Sequence, residues 1–310
     1  MLEWGALAAF LAAAVRVGTP LALAALGEAV AERSGVINIG IEGSLIAGAL
    51  GGALGALAYD SAAMGVLVGA GAGLAVGVVF AFFAVVLNVD QIIAGTAATV
   101  GGLGFTGAIY QARFGATGTQ LSLPTLAPVR VPLLADLPVI GGAFFEQAWT
   151  VYLAYLLAPA LAWWLFRTEW GLELRAVGEE PDAAAAAGVR VRWTRFRATA
   201  FGAALAGVAG AHLALASAGT FSEGMSAGRG FIAIAVVVLG RWHPLGVLVA
   251  SLFFGAATAL QFVLQARGLA VSYQLVLALP YLLTLAALAG WVGRARAPAA
   301  LARPWPETES

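Results

Sequence analysis

The sequence predicts an all-α polytopic membrane protein of about eight to ten transmembrane helices, some of them broken or re-entrant. Three observations carry that reading. Of 310 residues, 61% are hydrophobic and only 10% charged, where an ordinary soluble domain has about 25% charged residues. Apolar runs of roughly 20 residues, each long enough to cross a bilayer, recur from end to end. Backbone in lipid must satisfy its own hydrogen bonds, so such runs are helices; a membrane barrel would show alternating segments of roughly 10 residues. Finally, forty glycines supply the small side chains that let transmembrane helices approach closely. The Gly/Ala-dense stretches 48–55 and 69–77 read as such packing surfaces. Neither lies between a strand and a helix, as a nucleotide-binding glycine loop would.

Taken in order, spans fall near 6–31, 37–58, 64–87, 91–110, 148–167, 197–219, 229–240, 244–264 and 272–292. No basic region precedes the first, which reads as a transmembrane helix and not as a cleaved signal. It carries Arg16 mid-span, and an ionisable residue there is either paired, here with Glu28 or Glu42, or functional. Residues 35–43 are glycine-rich and include Asn38 and Glu42, so this segment is a candidate broken or re-entrant one. On a helix Asn38 and Glu42 would share one face and would line a cavity or brace the break. Asn88, Asp90 and Gln91 open the 91–110 helix, with Asp90 placed as an N-cap or a substrate contact. That helix presents Thr96, Thr99 and Phe105; Phe105 would stack on a base or pack against helices. His212 is expected to bond a neighbouring helix, Trp242 to anchor at the interface, and Glu223 to face the outer side. The stretch 229–240 is too short to cross alone. Gly35-Val36-Ile37-Asn38-Ile39 and Gly230-Phe231-Ile232-Ala233-Ile234 echo one another, hinting at an internal repeat of the kind transporters use.

Arginine sets the orientation, because the positive-inside bias counts basic residues in short loops. Arg167, Arg175, Arg190, Arg192, Arg195 and Arg197 place the loop 168–197 in the cytoplasm, and Arg294, Arg296 and Arg303 place the tail 293–310 with it. The loop 111–147 holds only Arg113 and Arg130 beside four prolines and falls outside. Within the cytoplasmic loop, Glu179 and Glu180 precede Pro181 and Asp182, and an alanine run that includes Ala184 and Ala185 ends at Gly188. Proline at the first helical position, acids at the N-terminus and glycine at the C′ stop define a helix of about two turns. So short a helix is unstable alone in water and needs a surface to lie on, so it reads as a docking helix for a cytoplasmic partner.

Three stretches resemble the permease subunits of bacterial ABC importers of the branched-chain amino acid, ribose and nucleoside class. They are Leu26-Gly27-Glu28 with Glu32 to Gly43, the loop Gly178 to Val189, and Gly230 to Ala235 with Leu239 to Gly246. Within that class the sequence is most similar to nucleoside and simple-sugar permeases that work with basic-membrane-protein-type lipoproteins. The loop departs from the family's Gly-x-Asn-Pro pattern, with Glu180 in place of Asn. The resemblance implies a single permease domain over 1–310 in the bacterial cytoplasmic (inner) membrane. It implies that residues 179–188 are a coupling helix seated on a separate ATPase chain, which would hold the ATP and Mg, so that this chain binds no cofactor. It also implies a second, paralogous permease and a substrate-binding lipoprotein or periplasmic protein. Ribose-type sugars or branched-chain amino acids are the alternative substrates.

Composition narrows the other classes. The chain has no lysine and no Gly-x-x-x-x-Gly-Lys-Ser/Thr motif, so it carries no nucleotide loop of its own. With no cysteine and two histidines, a membrane-embedded enzyme or a metal site lacks candidates. Zero net charge gives no sign of a nucleic-acid partner; the surrounding partner is membrane lipid. An ion-coupled secondary transporter would use lone intramembrane acids such as Glu42 but has no need of a coupling helix.

Overall fold

The computed structural model describes residues 2–115, 121–266 and 296–306, with a few isolated positions between 278 and 286. Helix α1 (Leu2–Arg33) is followed by α2 (Ile41–Tyr59), α3 (Ala62–Ala81, continued by a π-helical turn Phe82–Val86) and α4 (Gln91–Phe114). A short antiparallel pair, β1 (Pro128–Arg130) and β2 (Glu146–Ala148), brackets α5 (Ile140–Phe145). Then come α6 (Trp149–Arg167), α7 (Glu169–Glu179), α8 (Pro181–Ala186), α9 (Val191–His212, continued by a π-helical turn Leu213–Ala218), α10 (Arg229–Leu239) and α11 (Pro244–Ala266). Among the described residues seven helices are long and apolar enough to cross a membrane. Of the remaining expected spans, 229–240 is the short helix α10, and 272–292 lies, but for those isolated positions, outside the described residues.

The bundle is organised around α9, whose most apolar stretch is 83% buried, against 17% for α4. Side-chain volume explains the difference. α9 meets α1, α2 and α3 through glycine. A Cβ on Gly27 of α1 would sit 2.6 Å from the carbonyl oxygen of Gly202 on α9, and one on Gly202 would sit 2.7 Å from that of Gly27. Without a hydrophobic drive between helices in lipid, close backbone approach of this kind is what holds them. α4 keeps contact with α2 at Gly43 and Gly102 but leaves Ile93, Val100 and Phe105 exposed.

The alternation of spans gives the bundle two ends. α1 ends beside the α7–α8 loop and the α10–α11 turn at the arginine-rich end. Residues 121–148 and 215–219 meet at the far end, where Leu123 N donates to Gly219 O (3.2 Å) and Leu126 N to Leu215 O (3.0 Å).

Three sequence expectations are corrected. Helix α9 starts at Val191, so Arg192, Arg195 and Arg197 belong to the first turns of a span, and the connecting loop is 168–190. Arg16 pairs with neither Glu28 nor Glu42: Glu28 is twelve residues further along the same helix, about 18 Å of rise away, and Glu42 bonds to the start of α10. Trp242 is 4% exposed and anchors to α1 and not to the bilayer interface: its indole N–H donates to the Glu32 carboxyl, and Arg33 Nε donates to its carbonyl (3.0 Å).

Candidate functional site

Two interrupted helices meet inside the bundle. After α1 the chain turns at Gly35, whose φ of +93° suits glycine, and runs non-helically through 36–40 before α2 begins. Between α9 and α10 the chain is likewise non-helical from 219 to 228. Glu42, in the first turn of α2, reaches the start of α10. Its Oε1 accepts from Gly228 N (2.8 Å) and its Oε2 from Gly230 N (2.6 Å). The first N–H groups of a helix lack intrahelical acceptors, and their partial positive charge favours an acidic side chain, so one buried carboxyl group closes the exposed end of α10. A Cβ on Gly230 would lie 2.6 Å from Glu42 Cα, so only glycine permits the approach. Glu42 is 3% exposed and Asn38 fully buried. Asn38 precedes α2 instead of sharing a helical face with Glu42: its N–H donates to Glu28 Oε1 (2.8 Å).

Helix α4 holds the other side of this non-helical run. Asp90 caps it, accepting from Ile92 N (2.8 Å) and Ile93 N (3.0 Å). Buried Gln91 accepts from Ile37 N through Oε1 (2.9 Å), and Thr99 donates to Ile39 O (3.0 Å). Asn88 adopts φ 54° in the turn before the cap. Phe105 is 70% exposed, on the open face that α4 turns away from the bundle, as is Thr96. Thus Asn38, Glu42 and Gln91 gather in one buried frame, while Asp90, Asn88 and Phe105 stand outside it. His212 bonds α6 through Nδ1 and Thr150 Oγ1 (2.6 Å). Glu223 is exposed beside Gly107 of α4.

At the arginine-rich end, α7 and α8 form a two-helix loop. The interruption at Glu180–Pro181 follows from the missing N–H of proline, and Gly188 (φ +90°) ends α8 as its sequence predicts. Ala184 faces inward against Val177 and Val191, so the outward residues of α8 are Asp182, Ala183 and Ala186. Residues 296–306, whose role no sequence pattern revealed, lie across this loop. Ala300 N donates to Gly178 O (2.9 Å), Ala302 N to Gly35 O (3.0 Å) and Trp305 Nε1 to Asp182 Oδ1 (2.8 Å). Arg195, 3% exposed, ties the assembly together by donating from Nε to Ser34 O (3.1 Å) and from Nη1 to Arg303 O (2.8 Å). The α10–α11 turn closes the same end. There Phe166 stacks on His243 (5.0 Å, 13°) and lies under the guanidinium groups of Arg33 and Arg175. Partial burial, and then the Arg33 charge, hold the His243 pKa below the ordinary histidine value.

A bundle of close-packed spans with broken helices and an ordered loop presented at one end fits a membrane transport protein. The family model described as branched-chain amino acid transport system / permease component matches residues 10–288. The chain belongs to this family, and it is a permease subunit of an ABC transporter. It is 40% identical to the putative glucose ABC transporter permease TsgC13 of Haloferax volcanii, over 85% of this chain and 80% of that one. It is 37% identical to the guanosine ABC transporter permease NupQ of Bacillus subtilis, over 92% of both chains. It is 33% identical to the nucleoside ABC transporter permease NupC of Lactococcus lactis, over 91% of this chain and 92% of that one. No solved structure matches.

Proposed function

We propose that this chain is one of two permease subunits of an importer that passes nucleosides across a bacterial cytoplasmic membrane. The observation that carries the reading is the α7–α8 loop. It is an ordered, two-helix platform outside the spans, on a chain that has no nucleotide-binding motif of its own. A separate ATPase chain, holding ATP and Mg, seats on the outward residues Asp182, Ala183 and Ala186 and on Glu179 and Glu180 beside them. Movement there passes through Gly178 and Arg195 to the ends of α1 and α9. The substrate pathway runs along the open face of α4, past Asn88 and Phe105, and is completed by a second permease. Asn38, Glu42 and Gln91 hold the frame behind it. A lipoprotein or periplasmic binding protein delivers substrate at the far end.

Nucleosides are favoured because two relatives with that substrate class in their names align over nine-tenths of both chains. Glucose is the second reading, favoured by the 40% identity to TsgC13. The test is co-expression with neighbouring ATPase and permease genes, purification, and uptake into proteoliposomes loaded with ATP. The expected result is a co-purifying ATPase and ATP-dependent accumulation of labelled guanosine but not of glucose. Glucose uptake alone would reverse the substrate assignment. Uptake driven by a proton or sodium gradient with no bound ATPase would overturn the reading.

A further inference from the structure

At the arginine-rich end, α1, α6, α7 and α9 leave between them a cavity of about 520 Å³ that the proposed transport path does not use. Its walls are apolar, formed by Val30, Leu161, Leu174, Ala198 and Phe201. Leu161 lies six residues before the end of α6 and Phe201 ten residues after the start of α9, so the cavity extends about 10–15 Å into the span region. Its rim is charged, with Arg190 and Arg197 against a single acid, Glu173. Both arginines are exposed, and neither forms an ion pair among the described residues. Arg197 lies over the Trp193 ring (5.9 Å). Trp163, Trp170 and Trp193, 64%, 70% and 50% exposed, stand at the same level, as tryptophans do at a membrane–water interface.

An apolar slot entering the membrane under a net positive rim at headgroup depth is complementary to an amphiphilic anion. A free anion would leave the slot empty, and a lipid of zero net charge would leave the rim's net positive charge uncompensated. We propose that this cavity is a binding site for one anionic phospholipid, with an acyl chain between α6 and α9 and the headgroup phosphate held by Arg190 and Arg197. Basic pockets between helices on the cytoplasmic side bind anionic headgroups through the same physics.

The test uses the full-length protein in detergent, with phosphatidylglycerol and phosphatidylcholine of identical chains added in turn and retention read by native mass spectrometry. One phosphatidylglycerol per chain is expected, retained about tenfold to thirtyfold more strongly than phosphatidylcholine, since each arginine near the surface contributes roughly fivefold. Arg190→Gln with Arg197→Gln, both on exposed side chains, should bring the two lipids to within about twofold. A phosphatidylglycerol carrying a photoreactive group on its chain should label the peptides holding Leu161 and Phe201 in the unaltered protein. Equal retention of the two lipids, an unchanged preference in the double variant, labelling confined to other helices, or displacement of the lipid by inorganic phosphate alone would each overturn the assignment.

Discussion

Replacing Glu42 with alanine should loosen α10 from the bundle. The side chain accepts two backbone N–H groups, at 2.8 and 2.6 Å, from Gly228 and Gly230. Hydrogen bonds to a charged group contribute roughly 1.5–3 kcal/mol each, and removing one partner leaves the other buried and unsatisfied. With both bonds lost, the cost of Glu42→Ala is about 3–5 kcal/mol. Glu42→Gln keeps one acceptor oxygen and turns an amide N–H₂ toward the other backbone donor, so it should lose about half as much. The assay is thermal unfolding of the purified protein in detergent, followed by uptake in proteoliposomes. The expected order of melting temperature is unaltered, then Gln, then Ala, with transport falling in the same order. If Glu42→Ala melts within about 1 kcal/mol of the unaltered protein, the carboxyl group does not hold α10 and the frame described here is wrong.

Further outcomes follow from the same geometry. Gly230→Ala should reproduce the Glu42→Ala phenotype, because its methyl group would collide with Glu42 Cα at 2.6 Å; a normal melting curve would contradict that contact. Ala183→Asp, on the outward side of α8, should leave the melting temperature unchanged and abolish ATPase co-purification. Ala184→Asp buries a charge against Val177 and Val191 and should lower the melting temperature itself; measuring both properties in both variants separates docking from packing. Arg195→Ala removes the donor to Ser34 and Arg303, so limited proteolysis should cut within 296–306 at least several-fold faster, and ATP hydrolysis should continue with reduced uptake. His243 has a depressed pKa in the folded protein, so the unfolded chain binds its proton more readily. The stability it contributes is present above about pH 6.5 and lost as pH falls toward the lower folded value; His243→Gln should flatten that part of a melting-temperature–pH curve.

Local chemistry was legible in the sequence and distant chemistry was not. Pro181 and Gly188 marked the ends of α8 because each acts through its own backbone, and Asp90 declared itself a cap through its position before an apolar helix. Glu42 stood out as an intramembrane acid among glycines, but its partners lie 186 and 188 residues away and are backbone N–H groups, which leave no side-chain signature. The same blindness explains Arg195. Counted among basic loop residues, it is buried and bonds to two carbonyls that any residue could offer. Ala184 was misplaced on the docking face because a six-residue alanine-rich helix has no hydrophobic pattern to set its rotation. The pairing of Arg16 with Glu28 failed on a simpler ground, the length of α1.

The strap formed by residues 296–306 also bears on how the protein is made. Those residues leave the ribosome after every span before them, yet they complete a surface whose other half, residues 178–182, was translated more than a hundred residues earlier. Insertion of the described spans can therefore precede the closing of the strap over the α7–α8 loop. A chain arrested before the strap would carry the described spans and lack the contacts from Ala300, Ala302 and Trp305 that tie the α7–α8 loop to the end of α1.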